Sequence, residues 1–212
     1  EFKSKIKGLC LLSYPHPADT ARGGSAVLVR NHIQRYEEAE YGNQLMQVTT
    51  ITIQARNKEL KVAAIYCPPR NSPTREDYIN LFKILGNHFV IGGDYNAKHT
   101  YWGSRLITGK GKEFYLAGKK YKSEFISSGS PTYWPSDPMK TPDLIDFFIV
   151  KGISSNYIIV GKEDLSSDHT PVILTITEEI AQKESIPKLC SKKTDWDKFG
   201  VTGAVNQSRI SP

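Results

Sequence analysis

The sequence predicts an α/β domain of packed mixed β-sheets with helices at the periphery, and three observations predict it. Short β-type segments outnumber helical ones. The helical segments fall between strands, not in a block of their own. With 212 residues, 39% hydrophobic and 24% charged, the chain has material for one substantial core.

The first expected strand is Ser25-Ala26-Val27-Leu28-Val29, introduced by the turn Arg22-Gly23-Gly24. Ile51 and Ile53 alternate with Thr50, Thr52 and Gln54, the period of a half-buried strand. Val62-Ala63-Ala64-Ile65-Tyr66 makes a third, stopped by Pro68-Pro69, which cannot donate to a ladder. These three are expected to form a meander. Thr74 with Asp77 three residues on reads as a capping box, and Tyr78, Phe82 and Leu85 share the face of a helix ended by Gly86. Phe89 to Ile91 follows as a strand. A second, poorer helix is expected around Gly111 to Tyr121, interrupted at Gly118. Phe125-Ile126 and Thr132-Tyr133-Trp134 then look extended, and Leu144 to Val150 and Val172 to Ile176 close the domain. Residues 1–178 are therefore assigned to the domain. Residues 179–212, rich in charge and ending in Gly, Ser and Pro, are expected to be a linker or tail.

Cys10, Cys67 and Cys190 are too far apart for a close-ligand zinc site or a disulfide framework and read as reduced thiols. No segment approaches a membrane span, and Glu1-Phe2-Lys3-Ser4-Lys5 lacks a signal-peptide pattern, so an intracellular protein is expected. The formal charge of +6 suits a polyanionic partner and equally a soluble basic surface.

Chemistry concentrates at strand ends. In Ile91-Gly92-Gly93-Asp94-Tyr95-Asn96, an acid and an amide two residues apart follow a buried strand and can face the same side. Asp146 sits among bulky apolar neighbours in Leu144-Ile145-Asp146-Phe147-Phe148, where an isolated charge is costly, so it needs a partner. An imidazole is a good one, because a carboxylate fixes its tautomer and raises its basicity. Asp168-His169 precedes the last strand and can supply that imidazole. Together these groups offer hard oxygens suited to magnesium, with His169 free for proton transfer or phosphate contact. Tyr66, ending its strand, can bring a phenol to the same rim. Each feature alone also fits a plain turn, a strand edge or a core position.

In order, Tyr66, Gly93-Asp94-Tyr95-Asn96, Ile145-Asp146 and Ser167-Asp168-His169 resemble the endonuclease/exonuclease/phosphatase superfamily. The likeness is closer to the endonuclease domain of jockey-type non-LTR retrotransposons. It is carried by Thr20 to Ala26, Ile65-Tyr66-Cys67-Pro68-Pro69, the block GGDYNAKHTYWGSR from Gly92 to Arg105, Pro131 to Pro135 and Pro142 to Phe148, within residues 18–177. The resemblance implies a four-layered α/β sandwich of two mixed sheets flanked by helices. It implies magnesium-dependent cleavage (manganese as a substitute) of a DNA phosphodiester, leaving a 3′-hydroxyl that primes reverse transcription. Asp94 would position or activate water, Asn96 would hold the phosphate, and Asp146 would orient His169 on the scissile phosphate. Asp168 would bind metal and Tyr66 would support the transition state. His99, Tyr101, Trp102, Tyr133 and Trp134 become candidate DNA contacts by stacking or groove insertion, or else pin their loops to the core.

The family pattern opens with a strand bearing an Asn and a second ending in a metal-ligand Glu. Neither has a counterpart here, and Glu1 lacks the apolar strand that would aim it inward. The chain is therefore expected to lack the family's first strands, with a weakened metal site. Lys193-Thr194-Asp195-Trp196-Asp197-Lys198-Phe199 resembles the start of a connector to a reverse transcriptase, the partner domain expected in a full-length element, with nuclear access expected for function. The alternatives are a catalytically dead DNA-binding remnant, a phosphatase or phosphodiesterase using the same residues, and a relic that does not fold.

Overall fold

The structure is a computed structural model that describes residues 8–14, 23–37, 41–42, 45–55, 58–153, 156–162 and 167–183. Glu1, Thr20 to Arg22, Cys190 and residues 193–199, all singled out in the sequence, lie outside the described residues. The strands are β1 (Leu9–Tyr14), β2 (Ser25–Arg30), β3 (Arg35–Glu37), β4 (Tyr41–Gly42), β5 (Gln47–Gln54), β6 (Glu59–Tyr66), β7 (Phe89–Asp94), β8 (Glu124–Ile126), β9 (Asp146–Lys151), β10 (Tyr157–Gly161) and β11 (Val172–Ile176). Among the described residues, two helices, α1 (Arg75–Leu85) and α2 (Gly109–Tyr121), and a 3-10 turn at Thr100–Trp102 accompany these strands.

A seven-stranded mixed sheet forms the centre, in the order β3-β5-β6-β7-β9-β8, with β4 also paired to β5. Among the described strands only β6 and β7 run parallel, because α1 makes the crossover between them. Successive side chains on a strand point to opposite faces. Ala63, Ile65, Phe89, Ile91, Phe147 and Ile149 accordingly pack against Tyr78, Phe82 and Leu85 of α1 and Phe114 and Ala117 of α2. On the opposite face Val62, Val90 and Val150 meet Ile159 of β10 and Leu174 and Ile176 of β11. Ile51 and Ile53 meet Cys10, Leu12, Val27 and Val29 of the β1–β2 pair. Helices thus cover one face of the large sheet, and two small antiparallel sheets cover the other.

Several sequence expectations are corrected. The segment around Val27 does not continue a meander with the next two: β5 and β6 pair as a hairpin, while β2 pairs with β1 in a separate sheet. Gly118 does not interrupt α2. A Cβ there would meet the Phe125 ring at 2.4 Å, so the glycine lets helix and strand approach closely. Residues 132–134 form no strand, since Tyr133 alone bridges to Asp143 and His169. The last pairings extend to Ile180, which bridges Ala55, and Gln182, which bridges Ile33, and the compact unit containing the sheets runs to Gln182. α1 follows its signals: Thr74 and Asp77 form the reciprocal capping box, and the Gly86 N–H closes on the Phe82 carbonyl.

Candidate active site at the end of the large sheet

Register brings the site together. Across four neighbouring strands Gln47 lies opposite Tyr66, Tyr66 opposite Asp94, and Asp94 opposite Asp146. Residues in register on adjacent strands share a face, so a phenol and two carboxylates line one end of the sheet.

Asp94 is delivered by a tightly constrained pair of glycines. A Cβ at Gly92 would meet the Phe148 ring at 2.4 Å, and one at Gly93, whose φ is 149°, would meet the Ile65 carbonyl oxygen at 2.0 Å. Side chains at either place would push β7 from its neighbours and move the carboxylate. Beyond Asp94 the chain turns at Asn96, in the left-handed region at φ 46°, which Asn tolerates better than most residues. The turn folds Asn96 back onto the acid: its backbone N–H donates to Asp94 Oδ1 at 2.8 Å and its Nδ2 to Oδ2 at 2.6 Å. Burial, then the Asp146 charge, pushes the Asp94 carboxyl up to about 6, against the Asn96 hydrogen bonds and His169. Tyr95, between them, points into the core with its ring stacked on Phe114 and Phe147.

Asp146 has the partner its surroundings demand. Its Oδ2 lies 2.9 Å from His169 Nδ1. A carboxylate can only accept, so Nδ1 carries the hydrogen and Nε2 is the ring position left for proton exchange. The hydrogen bond to Asp146 lifts the His169 pKa above the ordinary range against the pull of burial, with the charges of Asp146, Asp94 and Asp168 adding. The Tyr66 phenol is pushed up by burial, then by Asp94 and Cys67.

Two residues outside the expected set hold this pair. Thr132, fully buried, accepts with one hydroxyl from the N–H groups of Ile145 at 3.1 Å and Asp146 at 2.9 Å, while its carbonyl accepts from Thr170. It therefore ties the strand bearing Asp146 to the segment bearing His169. Asp143, 2% exposed, accepts through Oδ1 from the Arg105 and Leu144 N–H groups, while Oδ2 lies 3.0 Å from Lys98 Nζ without hydrogen-bond alignment. Burial alone would raise its pKa, but these donors hold it below the usual carboxylate value. A Thr and an Asp beside a strand carry no sequence signal of their own; only the wider motifs around them did.

The expected aromatic contacts divide. Tyr133 reaches the site, its ring 5.0 Å from that of His169. Trp134 is 51% exposed beside it, its indole donating to Thr170 Oγ1 and its backbone N–H to the Asp168 carbonyl. Trp102 does not fit the expected role: it is 2% exposed and stacked on Phe125 and Phe147, which makes it a core residue. His99 caps the 3-10 turn by accepting from the Tyr101 N–H and stacks on Tyr115. Tyr101 is 53% exposed but packs near Tyr115 and Phe125, toward α2 and β8.

Among the described residues no group of three or more His, Cys, Asp or Glu is gathered to hold a metal ion. The donors present are hard carboxylate oxygens, with Asp94 buried beside the charge of Asp146. That chemistry fits magnesium, which keeps several waters and takes one or two carboxylates plus substrate phosphate.

Residues 60–173, more than half of the chain, match the family described as endonuclease-reverse transcriptase. The RNA-directed DNA polymerase from mobile element jockey of Drosophila funebris is 32% identical over 185 residues, covering 87% of this chain and 20% of that protein. Its Drosophila melanogaster counterpart is 29% identical over 195 residues, covering 92% and 21%. The chain thus spans about a fifth of the length of these curated relatives. Among solved structures, the endonuclease domain of TRAS1, a telomere-specific non-LTR retrotransposon, superposes with a TM-score of 0.64 at 20% identity over 81% of each chain, a likeness of fold. An endonuclease/exonuclease/phosphatase family protein from Bacteroides thetaiotaomicron gives 0.50 at 14% identity, covering 79% of this chain and 74% of that one. With that match over more than half of its length, the chain belongs to the endonuclease-reverse transcriptase family.

Proposed function

We propose that this chain is a divalent-metal-dependent endonuclease that nicks DNA and leaves a 3′-hydroxyl able to prime reverse transcription. The observation that carries the reading is the Asp146–His169 pair, 2.9 Å apart, in register with the half-buried Asp94. Phosphodiester cleavage needs an attacking water, a group that follows the proton balance at the phosphate, and charge placed where the phosphoryl oxygens become more negative.

Asp94, held to about 6, is ionised at neutral pH yet basic enough to take a proton from water. Asn96 keeps that carboxylate aimed, and its amide can turn to the phosphate once substrate displaces one hydrogen bond. His169, kept basic by Asp146, donates through Nε2 to a phosphate oxygen, and Tyr66 supports the same oxygens from the next strand. Asp168, beside His169, would hold the metal with Asp94 and Asp146 adding to the negative field. A bound magnesium or manganese would polarise the phosphate and offset its developing charge. Tyr133 and Trp134 would meet DNA next to His169, whereas Trp102 is left to the core. The longer relatives are RNA-directed DNA polymerases, which supports a reverse transcriptase as partner domain; a DNA substrate would then be reached in the nucleus.

The alternative reading is a chain that binds DNA without cutting it. Relaxation of supercoiled plasmid in magnesium, against EDTA and His169→Ala, separates the two. Cutting that needs both metal and His169 supports the nuclease; binding without cutting by a folded chain supports the second reading.

A further inference from the structure

The row at the end of the large sheet lies between two layers of strands. Gln47, Tyr66, Asp94 and Asp146 stand four residues from Ile51, Val62, Val90 and Val150, which face the small sheets, and an even spacing keeps strand residues on one face. At the Gln47 end of the row, the turn that opens β2 comes down from the other layer. Tyr66, Asp94 and Asp146 carry the chemistry assigned above. Gln47 does not, yet it is 2% exposed, where an amide is costly unless it is hydrogen-bonded.

Its partner is that turn. The Gly24 N–H donates to Gln47 Oε1. Two residues along β5, on the same face, Thr49 Oγ1 lies 2.8 Å from the Ser25 hydroxyl and donates to the Ser25 carbonyl at 2.9 Å, so β2 is already tied to β5 there. What Gln47 adds is control of the residue before. Gly23, at φ 104°, brings bare backbone against the Tyr66 ring: a Cβ there would lie 2.7 Å from Tyr66 Cε1, 3.2 Å from its Cδ1 and 3.2 Å from Gln47 Oε1. The turn thus bounds one edge of the ring, and Gln47 touches both the turn and, across the ladder, the strand position of Tyr66 itself.

We propose that Gln47 is a positioning residue for Tyr66: by holding the Gly23–Gly24 turn against the ring, it fixes where the phenol meets a phosphate oxygen. The role of the phenol rests on the nuclease reading; the contact that places it does not. Without the amide oxygen the turn keeps its tie through Ser25 and Thr49 but loses the bond nearest the ring, and the Tyr66 side chain gains room to swing away from Asp94.

The test uses the full chain twice: in EDTA, for nuclear Overhauser contacts between the Gly23 α-protons and the Tyr66 ring, and in magnesium, for plasmid nicking. Gln47→Met keeps the length of the side chain and removes the acceptor. The wild type should show the Gly23–Tyr66 contact and the folded variant should lose it, a result read without any cleavage. Nicking by Gln47→Met should slow by about 10-fold to 100-fold while the plasmid concentration for half-saturation holds, since the group misplaced is at the reacting phosphate and not on the binding surface. The loss should not exceed that of Tyr66→Phe, and Gln47→Met added to Tyr66→Phe should cost little more, because one acts through the other. A contact absent from the wild type or persisting in the folded variant, or a loss that adds to that of Tyr66→Phe, overturns the proposal. Gly23→Ala, whose methyl would meet the ring, repeats the comparison with Tyr66→Phe should Gln47→Met lose its fold, and an additive loss there overturns the proposal too. If the wild type does not nick DNA but Gln47→Met loses the contact, the nuclease reading fails and the placement of Tyr66 by Gln47 stands.

Discussion

Replacing Asp94 with Asn should stabilise the fold while removing activity. Burial and the Asp146 charge raise the Asp94 carboxyl to about 6 from an ordinary value of 3.8. Between those values the folded protein keeps a proton that the unfolded chain has released, so stability falls as pH rises through that window. By pH 7 the full difference is in place, about 3 kcal/mol at 1.36 kcal/mol per pH unit. Asn carries no charge and fills nearly the same space, and the Asn96 amide has only to rotate to keep a hydrogen bond with it. Urea unfolding in EDTA at pH 7.5 should show the variant more stable by about 2 to 3 kcal/mol, the gap closing by about pH 4. Magnesium should narrow the gap at pH 7.5, because an ion that binds only the folded wild type stabilises it. Equal or greater wild-type stability at pH 7.5 in EDTA would refute the reasoning, since Asp94 would then be ionised without penalty.

Other predictions follow from the same contacts. Asp146→Ala and His169→Ala should each remove nearly all nicking, and the double variant should be little worse, because the two groups act as one; additive losses would count against the coupling. Nicking by wild type should fall above the ordinary histidine range as His169 loses its proton, and Asp146→Asn should move that falling limb to lower pH. Trp102→Ala should cost about 3 to 5 kcal/mol in stability, measured by denaturant unfolding, whereas Trp134→Ala should change stability little and weaken binding to duplex DNA. Gly118→Ala should destabilise by about 1 to 3 kcal/mol, because its Cβ would meet the Phe125 ring; a neutral effect would show that α2 can move away.

Much of this was legible where physics is local. The Thr74 and Asp77 capping box, the apolar face of α1 and the strand over Phe89 to Ile91 are short-range patterns, and each stands where the sequence places it, although the strand runs on to Asp94. The demand that Asp146 find a partner was also local, an acid among apolar neighbours, and His169 meets it. What the sequence did not disclose is non-local. β1, with Leu9, Cys10, Leu11 and Leu12 in succession, has no alternation to mark it, and it becomes a strand by pairing with β2. β10 lies past a short break with Ile158 and Val160 facing outward, so its pattern does not separate core from surface. Gly118 reads as a helix breaker until Phe125 is seen against it, and Trp102 reads as a surface aromatic until Phe147 is seen beneath it. Thr132 belongs to the site only because its hydroxyl meets two N–H groups a dozen residues on.

The most direct measurement is the conversion of supercoiled plasmid to open circle by the purified chain, in magnesium and in EDTA, with His169→Ala alongside. Nicking in magnesium that disappears with EDTA and with His169→Ala is the expected result. Undiminished nicking by His169→Ala, or no nicking by a folded wild-type chain in magnesium, would contradict the assignment of Asp94, Asp146 and His169 as a phosphodiester-cleaving centre.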